Sequence, residues 1–140
     1  MTKPILCIGE ILWDALPAGL FMGGAPFNVA CHLHHLGHPV KFATRVGDDE
    51  LGREVIRRIR RFGLATNYVQ TDENLPTGFV LVTLDENGSP DFEILKPSAW
   101  DAIEVNDLLA TEAENAEALV FGSLVQRCDK SRDAIRKLSD

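Results

Sequence analysis

Met22-Gly23-Gly24-Ala25-Pro26-Phe27-Asn28-Val29-Ala30 joins a glycine pair to a helix start, and its reading decides the fold around it. Two consecutive glycines open backbone conformations that a Cβ forbids and let a ligand approach the main chain closely. Pro26 suits the first turn of a helix, where the N–H that it lacks would have no intrahelical partner. From Phe27 to Leu36 the spacing predicts a helix with Val29, Leu33 and Leu36 on one apolar stripe, and Gly37 is the expected left-handed cap at its end. Upstream, Ile5-Leu6-Cys7-Ile8-Gly9 reads as a short strand. The order is then strand, irregular loop, glycine turn and helix, an α/β arrangement whose ligand sits over a helix N-terminus.

The pattern repeats downstream. Val40 to Val46 reads as a strand ending in the turn Gly47-Asp48-Asp49, whose acids fall in the first turn of the next helix. That helix is expected from Asp49 to Phe62, with Leu51, Val55, Ile59 and Phe62 at helical spacing and Gly63 as its stop. Strand, helix, strand, helix implies a parallel sheet with crossover helices. Two strands, Gly78 to Leu84 and Asp91 to Leu95, then flank Asp85-Glu86-Asn87-Gly88, and the Asn-Gly step marks a hairpin. Phe79-Val80-Leu81-Val82-Thr83-Leu84 is apolar on both faces, so something must cover it. A helix over Val105 to Ala118, beginning near Asn106-Asp107, a buried strand from Ala118 to Gly122, and a helix from Lys130 to Leu138 complete the expected elements.

With 140 residues, 45% of them apolar, the chain is expected to build one core and no second domain. A net charge of -7 argues against nucleic acid, because phosphate neutralisation needs a basic face. Arg53, Arg57, Arg58, Arg60 and Arg61 form the one dense basic run, read as the solvated face of a helix whose C-terminal arginines complement its dipole. Cys7, Cys31 and Cys128 are odd in number and far apart, which fits reduced thiols in a cytoplasmic protein, with Cys7 and Cys31 in the core. Neither a signal peptide nor a membrane-spanning stretch is expected, so no membrane partner is. His32, His34, His35 and His38 crowd one helix and its end, but Gly37 breaks the helix before His38 and no Cys or acid completes a metal set.

Three ordered blocks carry a family resemblance. Ile8-Gly9-Glu10-Ile11-Leu12-Trp13-Asp14, then Gly23-Gly24-Ala25-Pro26-Phe27-Asn28, then Arg45-Val46-Gly47-Asp48-Asp49-Glu50-Leu51-Gly52 are followed by Pro76-Thr77-Gly78 and Phe121-Gly122-Ser123-Leu124. In order and spacing this resembles the ribokinase-like (PfkB) carbohydrate kinases, and within them the fructokinase-like members, over the N-terminal half of the family's usual length. The resemblance implies a ribokinase-like three-layer α/β/α parallel sheet with a small β-lid, its C-terminal half missing. Residues 1–140 would be the sugar-binding portion, with a lid hairpin at about 77–95 that closes over a small-molecule sugar and forms a homodimer contact.

Asp14 ends an otherwise apolar strand, and by residue type alone it is either a loop residue facing water or an acceptor for ligand hydroxyls. The resemblance favours the ligand reading. It places Asn28 on the sugar through its amide, which both donates and accepts, and Gly23 and Gly24 beside it as unobstructed backbone. Phe79 on the implied lid is the aromatic expected against the sugar ring, while Phe27, Trp13 and Trp100 are expected in the core. Glu10 reads as a structural group held by backbone N–H and receives no catalytic role. Leu12 and Ala25 stand where ribokinases carry a polar residue and a lysine, which points to a hexose such as fructose before ribose. The segment from Asp14 to Gly23 is shorter than in many fructokinases.

For the complete enzyme the resemblance implies ATP and Mg²⁺, with a glycine-rich anion hole, a catalytic aspartate and a nucleotide pocket all drawn from the C-terminal half. No site for either cofactor, no catalytic residue and no metal ligand is expected in this chain. Two functions therefore stay open: the N-terminal portion of an ATP-dependent sugar kinase, inactive by itself, or a sugar-binding or interaction module without catalysis. A dinucleotide-binding oxidoreductase is disfavoured, because no G-x-G-x-x-G follows the first strand.

Overall fold

The computed structural model describes residues 2–140. Two four-stranded sheets organise the chain. In the first, β1 (Ile5–Ile8), β4 (Val40–Gly47), β5 (Val69–Asp72) and β8 (Ala118–Val120) run parallel in the order β5-β4-β1-β8. Alternation along the strands sends side chains to two cores. Cys7, Phe42 and Val46 face α1 (Ala25–His35) and α2 (Glu50–Arg61), while Leu6, Ile8 and Ala43 face α3 (Asp107–Asn115) and α4 (Asp129–Ser139). The result is a three-layer α/β/α sandwich, the architecture that the spacing of strands and helices implies.

The second sheet has the order β3-β2-β6-β7 and combines β2 (Leu12–Leu16), β3 (Gly19–Gly23), β6 (Gly78–Leu84) and β7 (Pro90–Ile94). β2 lies antiparallel to β3 and parallel to β6, and β6 and β7 form the expected hairpin. Its turn is tight: Asp85 accepts from the amides of Asn87 and Ser89, both at 2.8 Å. The stretch from Asp14 to Gly23, expected as an irregular loop, is thus a second hairpin, and Asp14 lies in the middle of a strand.

Helix starts follow local chemistry. Asp49 caps α2 by accepting from the Gly52 amide at 2.8 Å, and Asn106 caps α3 by accepting from the Leu109 amide at 2.8 Å. Asp49 also takes the Thr77 hydroxyl at 2.6 Å and the Thr77 amide at 3.0 Å, which fastens the start of β6 to the start of α2. The apolar stripe of α1 differs from expectation. Pro26, Phe27 and Ala30 are its buried residues and Leu33 packs on the core as expected, whereas Val29 is 39% and Leu36 75% exposed. The Phe27 ring, 5.5 Å from that of Phe42 and 5.8 Å from that of Phe62, rotates the helix so that Ala30 meets the sheet.

Both faces of β6 were expected to need cover. Val80 and Val82 receive it inside the chain, packing with Leu12, Ile94 and Leu124, but Leu81 and Leu84 remain exposed. All three cysteines are free thiols, and burial pushes those of Cys7 and Cys31 up to about 11. No helix among the described residues is long and apolar enough to cross a membrane.

Candidate functional site

β2 carries Asp14 between Phe21 of β3 and Val80 of β6, and directly paired residues share a face. Asp14, Phe21, Gly23 and Val80 therefore line one side of the second sheet. A Cβ on Gly23 would lie 2.8 Å from Asp14 Oδ2, so the glycine makes room for the carboxylate. Burial pushes that carboxyl above its ordinary value. Gly24 follows with φ at +120°, and a Cβ there would collide with the Glu10 carbonyl oxygen. The two glycines thus answer different needs, one leaving space for a side chain and the other holding the turn against the β1–β2 junction.

Asn28 stands exposed in the first turn of α1, its amide N–H donating to the Gly24 carbonyl at 2.9 Å. Together with Phe21, Met22, Phe27, Arg58 and Phe62 it lines a groove of about 410 Å³. Asp14, Gly23 and Gly24 do not line that groove; Phe21, which pairs with Asp14, stands at its edge. Gly24 is the N-cap of α1 and Asn28 lies in its first turn, while Asp14 stands beside Gly23.

Phe79 does not join them. It pairs with Trp13 and packs with it on the core beside α1 and α2, so its ring points away from the face that carries Asp14. The exposed aromatics on the Asp14 face are Phe92, paired with Val82, and Phe21, 48% exposed and paired with Asp14 itself, which the reading of residues 14–23 as a loop concealed. Strand alternation was the signal that could have found it. Trp13, Phe27 and Trp100 are buried as expected; Trp13 donates from Nε1 to the Leu51 carbonyl at 3.2 Å, and the Arg58 guanidinium lies 4.8 Å from its ring centre. Among the described residues no three His, Cys, Asp or Glu side chains are grouped to hold a metal ion.

The family model for the pfkB family carbohydrate kinases matches residues 18–137. The chain belongs to that family. This pfkB chain is 31% identical to a sugar kinase of Pyrococcus horikoshii over 96% of its own length and 46% of the relative's. It is 35% identical to the fructokinase of Escherichia coli, over 77% of this chain and 37% of that one. The crystal structure of the P. horikoshii protein superposes with a TM-score of 0.86 at 29% identity, covering 97% of this chain and 48% of the other. A second structure of that protein, in complex with ATP, gives 0.84 at 30% identity. The pfkB chain spans about half the length of the curated relatives that it matches.

Proposed function

We propose that these residues supply the sugar-binding half of an ATP-dependent kinase that phosphorylates a hydroxyl of fructose or a related hexose or keto-sugar. The observation that carries the reading is the Asp14 carboxylate, seated in the space left by Gly23 and beside the glycine turn that opens α1. A carboxylate accepts from two neighbouring hydroxyls, and a carboxamide both donates and accepts, which matches a polyol. Phe21 adds an apolar surface on the Asp14 face for the carbon side of a sugar ring. The names of the fructokinase relatives and the ATP complex of the P. horikoshii kinase support the sugar and the phosphoryl donor.

In this reading Asp14 and Asn28 orient the sugar, and the attacking hydroxyl is thereby held for in-line transfer. ATP would supply the phosphoryl group and Mg²⁺ would offset its charge, with the residues that hold both, and the base that takes the hydroxyl proton, outside these 140 residues. The β6–β7 hairpin is the lid. Its exposed side chains, Leu81 on one face and Leu84 with Phe92 on the other, supply the apolar contacts through which two copies pair in the cytoplasm.

Calorimetry with fructose tests the site. Asp14→Ala leaves sugar hydroxyls without their acceptor and should weaken binding by about 1–3 kcal/mol. An unchanged affinity would overturn the assignment.

A further inference from the structure

α1 begins without a side chain to cap it: its N-cap residue is Gly24, no acid lies in its first turn, and Pro26 carries no N–H. The free amides of a helix start need acceptors, and a side chain at the N-cap normally provides one. Residue 24 cannot carry one, because a Cβ there would meet the Glu10 carbonyl oxygen. The same residue that closes this space brings a carboxylate to it. Glu10 is 2% exposed and its Oε2 has no hydrogen-bond partner among the described residues. Its Oε1 lies 3.7 Å from where a Cβ on Gly122 would be, so the side chain lies between the start of α1 and the segment after β8.

Burial pushes the Glu10 carboxyl up; its own amide and those of Val125 and Ala25, and then the Arg127 guanidinium, draw it down, and burial prevails. Arg127, from the segment after β8, is the charged side chain acting on it, and α1 places no acid in its first turn. The point where a Gly122 Cβ would stand, 3.7 Å from Glu10 Oε1, is also 4.0 Å from Pro26 Cγ, so the carboxylate lies beside two elements, the first turn of α1 and the segment after β8.

We propose that Glu10 caps α1 from another element and is a positioning residue for the sugar site, tying the Gly24–Ala25 turn to the Gly122–Val125 segment. Capping from the β1–β2 junction leaves residue 24 without a side chain, so the backbone that faces the sugar stays bare. This inference rests on the sugar reading of Asp14 and Asn28.

The test is a pH titration of ¹⁵N-labelled chain together with fructose calorimetry. Ala25 and Val125 amide signals should move with one common midpoint in the wild type, and that step should vanish in Glu10→Gln. Glu10→Ala should lose about tenfold in fructose affinity, whereas Glu10→Gln, which keeps an acceptor oxygen, should restore most of it at neutral pH. Wild-type affinity should fall as Glu10 protonates, and Glu10→Gln should retain only the step owed to Asp14. If Glu10→Ala does not fold, the wild-type titration and the Glu10→Gln profile decide. Ala25 and Val125 titrating separately or not at all, or a folded Glu10→Ala with unchanged affinity, would overturn the proposal. Asp14→Ala should lose fructose while keeping the shared titration, which separates contact at Asp14 from positioning at Glu10. A wild-type chain that binds no fructose would overturn both the sugar reading and the positioning role.

Discussion

At the scale of single residues, the two glycines of the turn make separable demands. Gly24 holds φ at +120°, where an L side chain is strained, and its missing Cβ leaves room for the Glu10 carbonyl. Gly24→Ala should therefore destabilise the chain by about 1–3 kcal/mol through backbone strain alone, with the collision adding to it. A urea midpoint equal to that of the wild type would show that the turn tolerates a side chain. Gly23 has ordinary strand geometry, so Gly23→Ala should act mainly by displacing the Asp14 carboxylate from its pocket. The glycine turn and the helix that it opens were legible because their spacing and chemistry are local. The roles of Phe21 and Phe79 were not, since a one-residue shift in register exchanges the two faces of a strand and only pairing with β2 fixes it.

At the scale of elements, Asp49 shows how one carboxylate joins two parts of the chain. Burial acts to raise its carboxyl, but the Thr77 hydroxyl, the amides of Thr77 and Gly52, and Arg53 together hold it below its ordinary value. A carboxyl lowered on folding contributes stability that is present above its unfolded value and is lost as pH falls through the folded one. Asp101, bonded twice by Arg127 at 2.8 Å and lowered despite its burial, acts in the same direction. Stability should thus decline as pH drops below about 4, and Asp49→Asn should start lower at neutral pH but decline less. Parallel acid profiles for the two proteins, followed by urea unfolding, would refute this role for Asp49. The hairpin of β6 and β7 was readable from its Asn-Gly turn, as were Gly37 and Gly63, with φ at 88° and 85°, from the ends of apolar periodicity. β5 was not: Val69-Gln70-Thr71-Asp72 has a single apolar residue and becomes a strand because the edge of β4 offers it hydrogen bonds.

At the scale of the whole molecule, the proposed site would orient a hydroxylated ligand but would transfer nothing by itself. Phosphoryl transfer draws its rate from charge stabilisation around the γ-phosphate and from a base at the attacking hydroxyl, and sugar contacts alone supply neither. In the proposed reading Asp14 and Asn28 contact the sugar, and Asp14, whose carboxyl burial raises and which pairs with Phe21, is the acceptor for its hydroxyls. The 140-residue chain should bind fructose yet release no ADP above background from ATP with fructose, ribose or 2-keto-3-deoxygluconate. β8, three residues long, stands at an edge of the parallel sheet, and Leu81, Leu84 and Phe92 are exposed on the other sheet. An unpaired edge and exposed apolar side chains both favour association, so light scattering should show a dimer or larger species. Leu81→Asp and Leu84→Asp, on opposite faces of the β6–β7 hairpin, separate the causes: a return to monomer in either assigns the contact to that face, whereas association that persists in both assigns it to the β8 edge. Turnover by the chain itself would mean that a residue described here takes the hydroxyl proton, and Asp14, the carboxylate closest to the proposed sugar, would be the first to replace.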